Sequence, residues 1–265
     1  VIEEYRLNSS ANVRRIKDAL KKKEVLTFNE KDEPVIMDSL FEYWVTKYYF
    51  EKILNEEELL EIKTELVKMC RLTENMIETS IRALTDKDPE LGRSVREMDK
   101  QVDEYEMDIE KKCMRMMLKQ QPVAKDFREL SCTLKMITDI ERFGDQASDI
   151  GDIVYTLKGA PYITNLTHIT EMGKLAIRMV SESVNSFIRN DESIADQVVA
   201  LDDEMDNLFL TVKEELISLI RNDGSNGDQS IELMMIAKYL ERIGDHAINV
   251  AEWTKYKETG IHTKY

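Results

Sequence analysis

Glu241-Arg242-Ile243-Gly244-Asp245-His246-Ala247-Ile248-Asn249-Val250-Ala251-Glu252-Trp253 is the stretch on which the fold turns. On a helix advancing 100° per residue, Glu241, Asp245, Asn249 and Glu252 share roughly an 80° sector, and Ile236, Leu240, Ile243, Ala247 and Val250 lie opposite. A helix with one oily face and one face of oxygen donors buries one side only, so it belongs in a bundle. The pattern has a twin one hundred positions earlier, where Glu141, Asp145, Asp149 and Asp152 form the acidic stripe. Met136, Ile140, Phe143, Ala147, Ile150 and Val154 form the apolar face of that twin.

Moving outward, the duplication extends over most of the chain. Leu91, Val95, Met98, Val102, Tyr105, Ile109, Cys113 and Met116 follow a bundle spacing; adding 103 to each gives Ile194, Val198, Leu201, Met205, Leu208, Val212, Leu216 and Leu219, all apolar. The same offset carries Met69, Leu72, Met76 and Ser80 onto Met172, Leu175, Met179 and Ser183. Helix breakers or capping residues interrupt the pattern at 86–89, 121–122, 159–161, 190–191 and 222–228, leaving six helices from Ile53 onward in two sets of three. Short connections make neighbours antiparallel. The expected fold is all-α, a tandem repeat of two antiparallel three-helix bundles, with repeats at 51–158 and 162–260. A coiled-coil rod would share the spacing, but it would not place an acidic stripe at the same helix position twice.

Residues 1–50 differ in texture. Ser9-Ser10-Ala11-Asn12 can cap a basic helix carrying Arg14, Arg15 and Lys17, and Glu24–Phe28 with Pro34–Met37 reads as a small hairpin before an aromatic helix at 40–50. This is a partial winged-helix-like α/β segment. One reading gives its basic helix contact with nucleic acid, which would make the chain a DNA-binding regulator; the other is a solvated face.

Composition limits the functions available. Four Pro and nine Gly in 265 residues with 34% charged and 42% hydrophobic residues describe a helical, globular chain. A net charge of -15 opposes binding of the chain as a whole to phosphate backbones and favours cations. Cys70, Cys113 and Cys132 lack metal-type spacing and are expected as buried thiols in helices of a cytoplasmic protein. No membrane insertion is expected, because no apolar run reaches spanning length. No phosphate-cradling Gly-rich loop, G-x-S-x-G, Cys-x-x-Cys or H-E-x-x-H is present, and an exposed helical stripe offers no enclosed pocket, so no enzyme is expected. Met-rich helices suit a homodimer.

The offset that aligns the cores also aligns acids, Asp99 with Asp202 and Asp103 with Asp206, each pair spaced i, i+4. Each bundle therefore has a carboxylate pair on its middle helix and a stripe on its third. Like charges at that spacing cost a helix about 0.2–0.5 kcal/mol per pair, which a bound cation removes. Spacing alone leaves a solvated acidic face and a cation site both open. All-oxygen donors suit iron, manganese, magnesium or zinc. A metal-storage or oxidase bundle of the ferritin type would need Glu-x-x-His pairs, and none is present. His246 is expected at a surface or interface, and His168 and His262 stand alone.

Glu141-Arg142-Phe143-Gly144-Asp145 and Glu241-Arg242-Ile243-Gly244-Asp245, each closing a three-helix set, resemble the doubled signature of the PhoU family of phosphate-uptake regulators. Pro122-Val123-Ala124-Lys125-Asp126-Phe127-Arg128 is similar as well, and the resemblance spans about residues 53–258. It implies a cytoplasmic adaptor that dampens high-affinity phosphate import by contacting the ATPase of the phosphate ABC transporter and a sensor histidine kinase. It also implies multinuclear metal clusters. The ligands would be Asp99, Asp103, Glu141, Asp145 and Asp149, then Asp202, Asp206, Glu241, Asp245, Asn249 and Glu252. Asn249 stands where the first copy has Asp149, so the two clusters are expected to be unequal. Residues 1–50 have no counterpart in the two-repeat pattern.

Overall fold

The computed structural model describes residues 26–28, 34–36, 50–120 and 124–261. Six helices follow in order: α1 (Phe50–Asp86), α2 (Pro89–Gln120), α3 (Ala124–Leu157), α4 (Thr167–Arg189), α5 (Glu192–Asn222) and α6 (Gly227–Thr259), with a short 3-10 turn at Gly224–Asn226. They are the six expected helices. Each boundary has a local cause. Lys87 takes a left-handed φ of 58° before Pro89 opens α2, and the Asp88 carboxylate accepts the Leu91 N–H at 3.0 Å. Lys158 and Gly159 adopt left-handed φ after α3, and Asn190 does so after α4. Asp191 caps α5 by accepting the Ser193 N–H at 3.0 Å, and Gly260 ends α6 with a φ of 73°.

Contacts divide the chain into residues 1–58 and 59–265. In the first unit, β1 (Leu26–Phe28) and β2 (Pro34–Ile36) pair antiparallel with Leu26 opposite Ile36, matching the strands of the expected hairpin. The basic helix expected to carry Arg14, Arg15 and Lys17 lies outside the described residues, and so does nearly all of the aromatic helix at 40–50.

In the second unit each set of three closes on an apolar core. Met69, Met76, Val95, Val102, Met136, Ile140 and Phe143 are fully buried in the first, and Met172, Met179, Val198, Met205, Leu240 and Ile243 in the second. Cys70, Cys113 and Cys132 are buried free thiols, as expected. The two sets lie side by side, with α3 against α6 and α1 against α4. Both pairings run antiparallel: Glu129 near the start of α3 meets Lys257 at the end of α6, and Asp149 further along α3 meets Tyr239 earlier in α6. The repeats are thus related by an approximate two-fold axis across the α3–α6 seam.

One helix crossing brings two backbones into direct contact. A Cβ on Gly92 of α2 would stand 2.7 Å from the Gly151 carbonyl of α3, and one on Gly151 would come closer still to the Gly92 carbonyl. In the second repeat these positions are Ala195 and Ala251. Only the first repeat therefore needs glycine for its middle and third helices to approach.

Candidate metal centre

The acids are positioned by the same amphipathic registers that build the core. On α3, Phe143 and Ala147 point inward and are fully buried, which turns Glu141, Asp145 and Asp149 toward the α2 side of the helix. On α2, buried Val95 and Val102 leave Asp99 and Asp103 facing α3. Gly144 makes room between them: a Cβ there would lie 3.0 Å from Asp99 Oδ1.

The first cluster acts as one electrostatic unit. Burial first, then the charges of Asp145, Asp103 and Asp149, push the Asp99 carboxyl up to about 6. Burial and Asp145 push Glu141 up to about 7, against the opposing effect of Arg142. Asp99 Oδ1 is buried and has no hydrogen-bond partner. In the second cluster, between α5 and α6, burial, Asp206, Asp245 and Glu241 push Asp202 up to about 6, and burial and Glu241 raise Asp245.

The structure thus brings Asp99, Asp103, Glu141, Asp145 and Asp149 together, and Asp202, Asp206, Glu241 and Asp245. Asn249 does not join them, because its amide donates to Asp139 Oδ1 across the seam at 3.1 Å. Glu252 lies buried two turns beyond Asp245. Basic neighbours sit among the acids: Arg142 reaches Asp145 at 2.7 Å and Glu141 at 3.5 Å, and Lys238 pairs with Glu241. Among the described residues no three such side chains converge tightly enough to hold an ion in the conformations they adopt.

Several participants escaped the sequence reading. Glu106, one turn beyond Asp103, bonds Thr138 at 3.3 Å, adds its charge to Glu141, and is itself raised by burial. Its counterpart is Phe209, over which Lys238 lies at 5.5 Å. The first cluster therefore gains an acid where the second gains a lysine. The spacing of Glu106 from Asp103 was a readable signal. His246 is an interface residue, with Nδ1 2.9 Å from Asp139, and His168 is not alone but pairs with Glu215 at 2.9 Å. A cleft of about 500 Å³ lined by Lys87, Tyr162, Thr167 and Lys174 contains none of the stripe acids.

Two expectations follow from this geometry. Carboxyls held above their ordinary range bind protons in the folded state that the unfolded chain has released, so stability falls as pH rises through that interval. With Asp99 and Asp202 at about 6 and Glu141 at about 7, the metal-free protein should melt at higher temperature at pH 5 than at pH 7.5. Thermal unfolding in chelator checks this. Separately, Gly244→Ala would meet only Met179 and Met205, at 3.4–3.5 Å, and should gain up to about 1 kcal/mol of helix propensity. Gly144→Ala presses on the Asp99 carboxylate and should forfeit that gain, which urea titration of the two variants would resolve.

The geometry has relatives. The family profile described as PhoU domain matches residues 66–154 and again 169–254. A "Phosphate-specific transport system accessory protein PhoU homolog" from Clostridium acetobutylicum is 33% identical over 206 residues, 77% of this chain and 94% of that one. A protein of the same name from Aquifex aeolicus is 34% identical over 186 residues, covering 70% and 84%. The crystal structure of PhoU from Pseudomonas aeruginosa superposes with a TM-score of 0.74 at 30% identity, covering 78% of this chain and 99% of the other.

Proposed function

This chain belongs to the PhoU family, and on that premise we propose that it is a metal-binding regulator of phosphate uptake. In this reading it works in the cytoplasm as a homodimeric adaptor, without catalysis. It restrains high-affinity import through contact with the ATPase of the phosphate ABC transporter and with the partner sensor histidine kinase. Among the described residues no helix is long and apolar enough to cross a membrane, so contact with a transporter would come from the outside of the bundles.

The observation that carries the metal part is Asp99. Its Oδ1 is buried without a partner, in a gap kept open by Gly144 and within the field of three further carboxylates, Asp145, Asp103 and Asp149. An unpaired buried acceptor of this kind is costly and calls for a cation. The donor set fits one, because it consists of hard oxygens from two helices. Asp99, Asp103, Glu141 and Asp145 would hold the first cluster, with Asp149 and Glu106 at its ends. Asp202, Asp206, Glu241 and Asp245 would hold the second. Bound iron, manganese, magnesium or zinc would neutralise the repulsion and fasten α2 to α3 and α5 to α6. The first cluster, with Glu106 and without a lysine, should bind more tightly.

Capture by the immobilised transporter ATPase at high and low phosphate tests the adaptor reading. Wild-type protein should be retained in a phosphate-dependent manner, and Asp99→Asn/Asp202→Asn should not. Equal capture of both proteins under both conditions would refute it.

A further inference from the structure

The α3–α6 seam ties each acid stripe to the opposite repeat, and it does so with reversed polarity at its two ends. At one end Asp139 of α3 accepts: His246 Nδ1 donates to its Oδ1 at 2.9 Å and Asn249 Nδ2 at 3.1 Å. Both His246 and Asp139 are largely shielded from solvent, their side chains 27% and 16% exposed. The offset of 100 maps Asp139 onto Tyr239 and Asn249 onto Asp149. At that other end the Tyr239 hydroxyl faces Asp149, the tyrosine lowering the carboxyl and the carboxylate raising the phenol, and a carboxylate there can only accept. The stripe residue is therefore the donor in one repeat and the acceptor in the other, and its cross-seam partner is inverted to match.

We propose that Tyr239 and Asp139 are positioning residues for the far ends of the two acid stripes, each reaching in from the other repeat. The amide at 249 is then the complement of Asp139 and not a ligand that the second cluster has lost. A carboxylate at 249 would face the Asp139 carboxylate across a half-buried seam, where like charges repel strongly. Asp149, by contrast, can remain an acid because a hydroxyl faces it. It serves both sides of the seam, since its charge acts on Asp99 in the first cluster while its tyrosine partner lies on α6. Restoring the stripe pattern at 249 thus requires changing Asp139 as well.

The proposal rests on the cation reading of the clusters. Its test uses the full chain and two measurements: melting in chelator, and manganese(II) binding by calorimetry, with Asp145→Asn and Asp245→Asn assigning the binding phases. Asn249→Asp should lower the melting temperature and leave second-cluster manganese affinity unimproved. Asp139→Tyr/Asn249→Asp, which copies the other end, should restore melting and raise that affinity about tenfold, the lower end of the effect of ligand-orienting partners. Tyr239→Phe should weaken first-cluster affinity by about tenfold while leaving melting in chelator nearly unchanged, a split that a purely structural tyrosine would not give. If wild-type protein binds manganese and Asn249→Asp alone binds it more tightly at unchanged melting temperature, the positioning roles are refuted and the cation reading stands. Unchanged manganese affinity in Tyr239→Phe refutes the role of Tyr239. If wild-type protein binds no manganese, the cation reading fails and the positioning roles fail with it.

Discussion

Replacing Glu129 by alanine is expected to destabilise the protein by about 3–5 kcal/mol, the cost of removing one partner from a buried ion pair. Glu129 of α3 lies 2.8 Å from Lys63 of α1 and 3.3 Å from Lys257 of α6, and the Lys257 side chain is only 1% exposed. Lys257 also donates to the Phe187 carbonyl at 2.8 Å and rests 3.8 Å from that ring, so one group of contacts joins α1, α3, α4 and α6. Burial drives the Lys257 ammonium below its ordinary range and the Glu129 charge works against that. Without Glu129 the shift deepens. Below the ordinary lysine range the unfolded chain then holds more protons than the folded chain, so stability should rise with pH and the defect should shrink from pH 7 to pH 10. Urea unfolding at both values checks the size and the sign. The pseudo-symmetric positions are Leu166, Gln229 and Leu157, none of them charged, and Gln229 bonds the Pro161 and Ile163 backbone there. Lys63→Leu/Glu129→Gln/Lys257→Leu copies that end and should recover most of the loss.

Gly151→Val should cost about 3 kcal/mol, the upper end of ordinary overpacking. The obstruction is the Gly92 main chain on α2, which cannot turn aside as a flexible side chain would, so relief requires the helices to separate. Separation also moves Asp99, two turns along α2 from Gly92, away from Asp145 on α3. The variant should therefore lose cation affinity at the first cluster and keep it at the second. Urea titration together with manganese binding separates these outcomes. Affinity lost equally at both clusters would show that the close crossing does not set the first one.

Much of this architecture was legible because each device was local or repeated. Asp88-Pro89, Asn190-Asp191 and Gly260 mark helix ends by their own backbone preferences, and the offset of 103 exposes equivalent core positions without any knowledge of packing. The acids of α2 and α3 could be paired because antiparallel neighbours with short connections leave little choice. The seam between repeats was not legible. Asp139 and Tyr239 occupy equivalent positions with unlike chemistry, and nothing in either helix pattern says which polar face meets the other repeat. Asn249 consequently read as a weak ligand when its partner lies on α3. Lys257 and Glu129 escaped for a related reason: a charged residue on a helix reads as solvated until another helix covers it.

Metal content of protein purified without chelator, measured by mass spectrometry for wild type, Asp145→Asn and Asp245→Asn, tests the central claim most directly. Wild-type protein should carry iron, manganese or zinc. Asp145→Asn should remove the metal of the first cluster, Asp245→Asn that of the second, and the double variant all of it. Wild-type protein without bound metal, or the same content in all the variants, would contradict the account.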